Sequence, residues 1–228
     1  MNNEAIFKVA PSGLDYALKC KRCLWLSYKG IKLDAFFPPI FNSFDLIQKK
    51  FLTNRSIKLM SKVLPDGRIM KELNGFIGSS ILKDSKGRSF VISGKTDVVV
   101  EFKTNPKKYG IIDLKTTKIS PSKIENYKLQ LEGYATIFQN PNSKTPKFSN
   151  IEELGLFLFE PKEITKISDG SCNMKFETLY LKGNRCHEDL IKRVTDIIDV
   201  CSMVKPPEYN SACASCKFVN TLKKEKYI

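Results

Sequence analysis

Two Val/Ile-rich runs, GKTDVVVEF at residues 94–102 and YGIIDLKTTK at 109–118, each carry a carboxylate where a strand would bury hydrocarbon, and the second carries a lysine beside it. Side chains alternate along a strand, so Asp113 and Lys115 share one face while Leu114 takes the other. Asp97, Val99 and Glu101 likewise share a face. A hairpin turning at Asn105-Pro106 pairs positions whose numbers sum to about 210 to 212, which sets Asp97 opposite Asp113 or Lys115 provided the sum is even. Carboxylates forced together repel unless a cation lies between them, and a hard divalent ion with oxygen ligands, Mg²⁺ or Mn²⁺, is the simplest solution. Such an ion acidifies bound water and neutralises charge on a phosphoryl group, while a nearby lysine orients the nucleophile or stabilises the pentavalent state. The chemistry in view is phosphodiester hydrolysis. A lone D-x-K would carry no such weight, because solvent-facing aspartates with a cross-strand lysine are common.

Two further groups strengthen the pattern. Gln130 and Tyr134 stand four apart on the helix expected next, on one face, able to point at a nucleic-acid backbone or a metal shell. Cys20-Lys-Arg-Cys23 and Cys213-Ala-Ser-Cys216 are C-x-x-C pairs almost a whole chain apart. Four thiolates suffice for a closed Zn²⁺ site or an iron–sulfur cluster, and a metal joining them would close a very long loop. Cys172, Cys186 and Cys201 are expected to be small core or surface residues. His187, the one histidine, is expected on the surface of the last helix and is given no role.

The elements that must position these residues follow from periodicity and punctuation. Residues 12–29 have helical spacing, with Ser12 as N-cap and an interruption near the cysteines. After Pro38-Pro39 a basic amphipathic helix, capped by Asn42 or Ser43, is expected to reach about Val63. Residues 75–82, 89–102 and 109–117 look like an antiparallel meander. Ser120-Pro121 opens a helix to about Gln139. Strands are expected at 154–161 and 174–181, then a closing amphipathic helix over NRCHEDLIKRVTDIIDVCSMV and an irregular tail, KPPEYNSACASCKFV. Tyr16, Trp25, Tyr28, Phe36 and Phe37 could stack on bases, although core is the default for aromatics at such spacing.

A chain of 228 residues, 42% hydrophobic, suits a single domain with one substantial core. Its 38 Lys+Arg against 24 Asp+Glu give a net charge of +14 and a pI near 9.4. The charge is distributed in small groups such as Lys49-Lys50, Lys107-Lys108 and Lys223-Lys224, which suits a folded basic surface facing a polyanion. No apolar run approaches the roughly 20 residues that span a bilayer, so no membrane partner is expected. The start, MNNEAIFKVAPSG, lacks the features of a secretory signal, so a cytoplasmic location is expected. That compartment keeps thiols reduced, which leaves metal or burial to explain seven cysteines.

In this order and spacing, G-x-x-D (Gly94 to Asp97), D-x-K (Asp113 to Lys115) and Q-x-x-x-Y (Gln130 to Tyr134) resemble the RecB-type branch of the PD-(D/E)XK nuclease superfamily. That branch includes the CRISPR-associated adaptation nucleases and helicase-linked exonucleases. The resemblance implies a restriction-endonuclease-like α/β fold, with a central mixed β-sheet flanked by helices, and a magnesium- or manganese-dependent DNase. It implies Asp97 and Asp113 as metal ligands, Lys115 as the catalytic lysine, and Gln130 and Tyr134 in the family's supporting fourth motif. The family usually adds a histidine, sometimes a glutamate, from an upstream helix. His187 lies far downstream, so Asp45 of FNSFDLIQKKF is the best substitute and Glu72 the alternative; Asp45 is otherwise a first-turn acid favoured by the helix dipole. The cysteines resemble the family's iron–sulfur subset, in which one N-terminal and three C-terminal cysteines bind a [4Fe-4S] cluster. The 2+2 split here departs from that pattern, leaving Zn²⁺ open beside the favoured cluster.

The expected function is a DNA nuclease, an exonuclease on single strands or ends, in DNA processing, repair or recombination. With no G-x-x-x-x-G-K-S/T motif, a helicase or recombination partner would have to supply unwinding. The rivals are a non-catalytic nucleic-acid-binding module with a degenerate site, and a zinc-type scaffold recruiting a protein. The charge speaks against the scaffold.

Overall fold

The apolar runs build two sheets rather than one meander. The computed structural model describes residues 6–31, 38–71, 73 and 75–225. In chain order these form β1 (Phe7–Val9), α1 (Lys21–Tyr28), α2 (Ile40–Leu52), β2 (Gly67–Ile69), β3 (Ile77–Gly78), β4 (Leu82–Lys83) and β5 (Ser89–Gly94). There follow β6 (Val98–Phe102), β7 (Tyr109–Thr116), α3 (Lys128–Gln139), β8 (Ile151–Ser168), β9 (Ser171–Gly183), α4 (His187–Cys201) and α5 (Ala214–Lys224). Glu72, Phe36 and Phe37 lie outside the described residues.

The larger sheet runs β2-β6-β7-β8-β9. It is mixed: β6 and β7 are antiparallel, β7 and β8 parallel, β8 and β9 antiparallel. A parallel pair needs a crossover, and α3 supplies it. Alternation sorts the hydrocarbon. Val99, Ile111, Leu154 and Leu156 pack with Leu131, Phe138, Leu190 and Ile198 of α3 and α4, while Val98, Val100, Ile112 and Phe157 pack with Leu52, Ile57 and Met60 around α2. The sheet is therefore flanked by helices, and β7, apolar on both faces, reads as a nearly continuous hydrophobic run. In the smaller sheet, β5 pairs in parallel with β1 and antiparallel with β3 and β4.

The run 89–102, expected as one strand, breaks at residues 95–97 into β5 and β6, which join different sheets. Gly94 shows why. A Cβ there would lie 2.9 Å from Pro11 Cδ and 3.3 Å from Tyr134 Cε1, so β5 ends wedged between two elements and the chain turns away. The helix expected to reach Val63 stops at Leu52, because Thr53 is extended and Asn54 is left-handed at φ 62°. It starts at Ile40, behind Pro39, so neither Asn42 nor Ser43 caps it. Residues 11–19 form two short 3-10 turns ahead of α1, and Pro121–Asn126 a third before α3. The expected irregular tail contains α5, and the strands at 154–161 and 174–181 lengthen into β8 and β9, which continue past the sheet as an exposed two-stranded arm.

Two long-range contacts fix α3. Its first turn has no side-chain cap of its own, and Asp15 supplies one from far upstream, accepting the N–H groups of Leu129 at 3.3 Å and Gln130 at 3.0 Å. Fully buried Glu132 accepts Arg185 Nε and Nη2, each at 2.8 Å, and the Cys186 N–H at 2.9 Å. Removing one partner of such a pair strands a buried charge. Arg185→Ala is expected to lower the unfolding free energy by about 3–5 kcal/mol, measured by urea denaturation; a loss below about 1 kcal/mol would show that the pair does not hold α3 to α4.

Candidate active site

The antiparallel register of β6 and β7 puts Val98 opposite Ile112 and Val99 opposite Ile111, and both pairs, like Asp97 with Asp113, sum to the same even number. Asp97 precedes β6, and its Oδ2 accepts the Leu114 N–H at 2.9 Å, so β7's own backbone holds this carboxylate. Asp113 is only 2% exposed. Gln130 Nε2 donates to its Oδ1 at 2.7 Å. Lys115 Nζ lies 2.5 Å from its Oδ2, but outside hydrogen-bonding geometry, so that buried oxygen accepts no hydrogen bond.

The electrostatics follow from this crowding. Burial, then the charge of Asp97, pushes Asp113 up to about 7 against the pull of Lys115. Burial alone would lower Lys115, but Asp113 and Asp97 more than offset it and keep the ammonium charged. Two carboxylates held this close, one of them buried with only an ammonium against its second oxygen, are the oxygen donors that a hard cation takes. The donor set of Asp97 and Asp113 thus fits Mg²⁺ or Mn²⁺.

Asp45 is placed differently. Lys49, 6% exposed, sets its Nζ 2.8 Å from Asp45 Oδ2 and 2.7 Å from Asp97 Oδ1. The ammonium stands between the two acids. Asp45, Asp97 and Asp113 accordingly form no close three-ligand group among the described residues. Lys49 went unassigned in the sequence, where it counted only toward the charge. The available signal was its position one helical turn after Asp45.

Tyr134 does not face the cleft. It is buried and donates its hydroxyl to the Lys95 carbonyl at 2.7 Å, bracing the segment that carries Asp97. Gln130 and Tyr134 thus share a helix face, as expected, with different partners. Asp97 and Asp45 open into a cavity of about 470 Å³, lined also by Tyr16, Phe41, Lys115 and Tyr127, while Asp113 lies buried behind Lys115 and Gln130. Trp25 instead donates Nε1 to the Met203 carbonyl, and Tyr28 stacks on Phe7.

At the other end, α1 and α5 each present a C-x-x-C pair in their first turn. Cys20 Sγ lies 3.6 Å from Cys216 Sγ; Cys23 Sγ lies 3.6 Å from Cys213 Sγ and 4.0 Å from Cys216 Sγ. All four Sγ atoms fall within 4.8 Å of one another, joining the N- and C-terminal segments. Burial raises Cys20 and Cys23, whereas the Cys216 N–H brings Cys213 down to about 7. Cys172 is exposed, Cys186 half-buried and Cys201 part of the core. His187 is exposed at the start of α4. No helix among the described residues is long and apolar enough to cross a membrane.

A family model described as the PD-(D/E)XK nuclease superfamily matches residues 48–221. The match spans Asp97, Asp113, Lys115, Gln130 and Tyr134 and begins after Asp45. No curated protein matches the chain. Eight chains of solved structures match, among them the crystal structure of SSO0001, with 15% identity and a TM-score of 0.48, covering 95% of this chain and 86% of that one.

The raised Asp113 has a consequence for pH. Its proton must leave before an ion binds, so Mn²⁺ affinity is expected to rise about tenfold per pH unit below pH 7 and to level off above it. Calorimetric titrations across neutral pH check this; a flat profile would mean that Asp113 is already ionised.

Proposed function

The chain belongs to the PD-(D/E)XK nuclease superfamily, and from that premise we propose that its carboxylate cleft is the active site of a divalent-metal-dependent deoxyribonuclease acting on single strands or DNA ends. The observation that carries this is the buried, under-satisfied Asp113 with Lys115 beside it on the same strand face and Asp97 across the hairpin. Asp97 and Asp113 would hold Mg²⁺ or Mn²⁺, which when bound supplies acidified water and charge neutralisation for phosphodiester hydrolysis. Lys115, charged and partly open to the cleft, donates to a phosphoryl oxygen or to the attacking water. Gln130 and Tyr134 are positioning residues: one orients the Asp113 carboxylate, the other braces the segment bearing Asp97. The +14 charge attracts the polyanion, and work on exposed ends in repair or recombination, beside a helicase, suits a chain with no nucleotide-binding motif.

The thiols suit a metal staple, and their spacing favours a single ion. Zn–S bonds of about 2.3 Å directed at the corners of a tetrahedron set sulfurs about 3.8 Å apart. Three of the six separations, 3.6, 3.6 and 4.0 Å, straddle that value, and all six stay within 4.8 Å. A [4Fe-4S] cluster binds each thiolate to a separate iron and needs the sulfurs spread wider. We therefore propose Zn²⁺ here, in place of the cluster that the resemblance implies.

One observation favours a second function. Lys49 already neutralises Asp97 and Asp45, which suits a nucleic-acid-binding module that does not cut.

End-labelled single- and double-stranded DNA incubated with Mg²⁺ or Mn²⁺ separates the two. Cleavage is expected, with losses of about 100-fold or more in Asp113→Ala and in Lys115→Ala. Salt-sensitive binding with no cleavage by the natural protein would instead establish the binding module. Elemental analysis is expected to find one zinc per chain in a colourless preparation, whereas brown protein containing iron would restore the cluster.

A further inference from the structure

The cleft has an aromatic flank that catalysis does not use. Tyr16 is 39% exposed, although its neighbour Leu14 is fully buried. The chain is anchored on either side of that ring: before it, Asp15 caps α3 and Arg193 Nη1 donates to the Leu14 carbonyl at 2.6 Å, and after it Asn210 Nδ2 donates to the Lys19 carbonyl at 3.1 Å. A large ring standing in solvent on a pinned backbone is pre-organised for a partner. Tyr16 meets Tyr127 edge to face with ring centroids 6.4 Å apart. Each ring carries an ammonium over it, Lys115 Nζ at 5.0 Å from the Tyr127 centroid and Lys19 Nζ at 4.2 Å from the Tyr16 centroid. The order Lys115, Tyr127, Tyr16, Lys19 therefore leads outward from the carboxylates as two adjacent rings bracketed by two cations, and both rings line the same cavity as Asp97.

Rings bind base faces, lysines bind phosphates, and together they track a single strand with little regard to sequence. A duplex keeps its base faces stacked on one another and offers the rings only the outer faces of its terminal pairs. We propose that Tyr16 and Tyr127 form a base-stacking wall, flanked by Lys19 and Lys115, that admits an unpaired DNA strand to the cleft and discriminates against paired DNA. The location rests on the nuclease assignment above, but binding alone can test the wall.

Fluorescence anisotropy of the full chain, without added divalent ion, compares a labelled oligothymidylate with a blunt duplex of equal length. A 2-aminopurine base in the strand reports stacking by its quenching. Tyr16→Ser is expected to weaken single-strand binding about tenfold and to abolish the quench while duplex affinity holds; Tyr16→Phe, which keeps the ring, restores both. Unchanged strand affinity and quenching in Tyr16→Ser and in Tyr127→Ser would overturn the proposal. So would equal losses on strand and duplex, the signature of a damaged fold or a general contact. Stacking by the natural protein without cleavage in Mg²⁺ or Mn²⁺ sinks the nuclease assignment and leaves the wall standing. Cleavage whose strand preference ignores Tyr16→Ser does the reverse.

Discussion

A carboxylate sealed in a β-sheet beside another carboxylate must find a cation or take up a proton, and much of this molecule is organised around that necessity. Asp113 sits where the apolar alternation of β7 calls for hydrocarbon. Its surroundings offset its charge only in part: Gln130 donates to one oxygen, Lys115 forms an ion pair with the other, and Asp97 presses from across the hairpin. Remote contacts then hold those restraints in place. Asp15 sets the start of α3 so that Gln130 reaches β7, and Tyr134 ties down the Lys95 carbonyl ahead of Asp97.

A second buried carboxylate shows what the first one lacks. Glu132 stands on α3 between Gln130 and Tyr134 and is equally removed from water, yet it accepts three short N–H bonds from Arg185 and Cys186. Fully paired buried charge rigidifies a fold, whereas partly paired charge keeps coordination capacity in reserve. One helix thus serves both kinds of site. The distinction is in the partners and not in the depth of burial.

How much of this could be read from the sequence depended on how local the cause was. The facing of Asp97 and Asp113 was legible because strand alternation and a hairpin admit few registers, and the even sum held. The shared face of Asp113 and Lys115 needed only the strand period. The break after Gly94 was not legible: its cause is Pro11, far away in the chain and brought there by the parallel pairing of β1 with β5. Lys49 escaped for a similar reason, since a lysine on a basic amphipathic helix gives no sign that tertiary packing will turn it inward between two acids. Tyr16 was assigned to the core by default, and only the structure separates its exposed ring from its buried neighbour. The helix at the C-terminus was obscured by Pro206-Pro207 and a run of small polar residues that punctuate the chain before α5.

The thiol centre has a mechanical role beyond joining two ends. Cys20 lies just past Tyr16 along the backbone, and Asn210 Nδ2 holds the intervening Lys19 carbonyl at 3.1 Å. The terminal helix and the outer rim of the cleft are therefore coupled in series, like a hawser made fast at both ends. Slack introduced at α5 would pass through Cys20 and Lys19 to the segment that carries the Tyr16 ring.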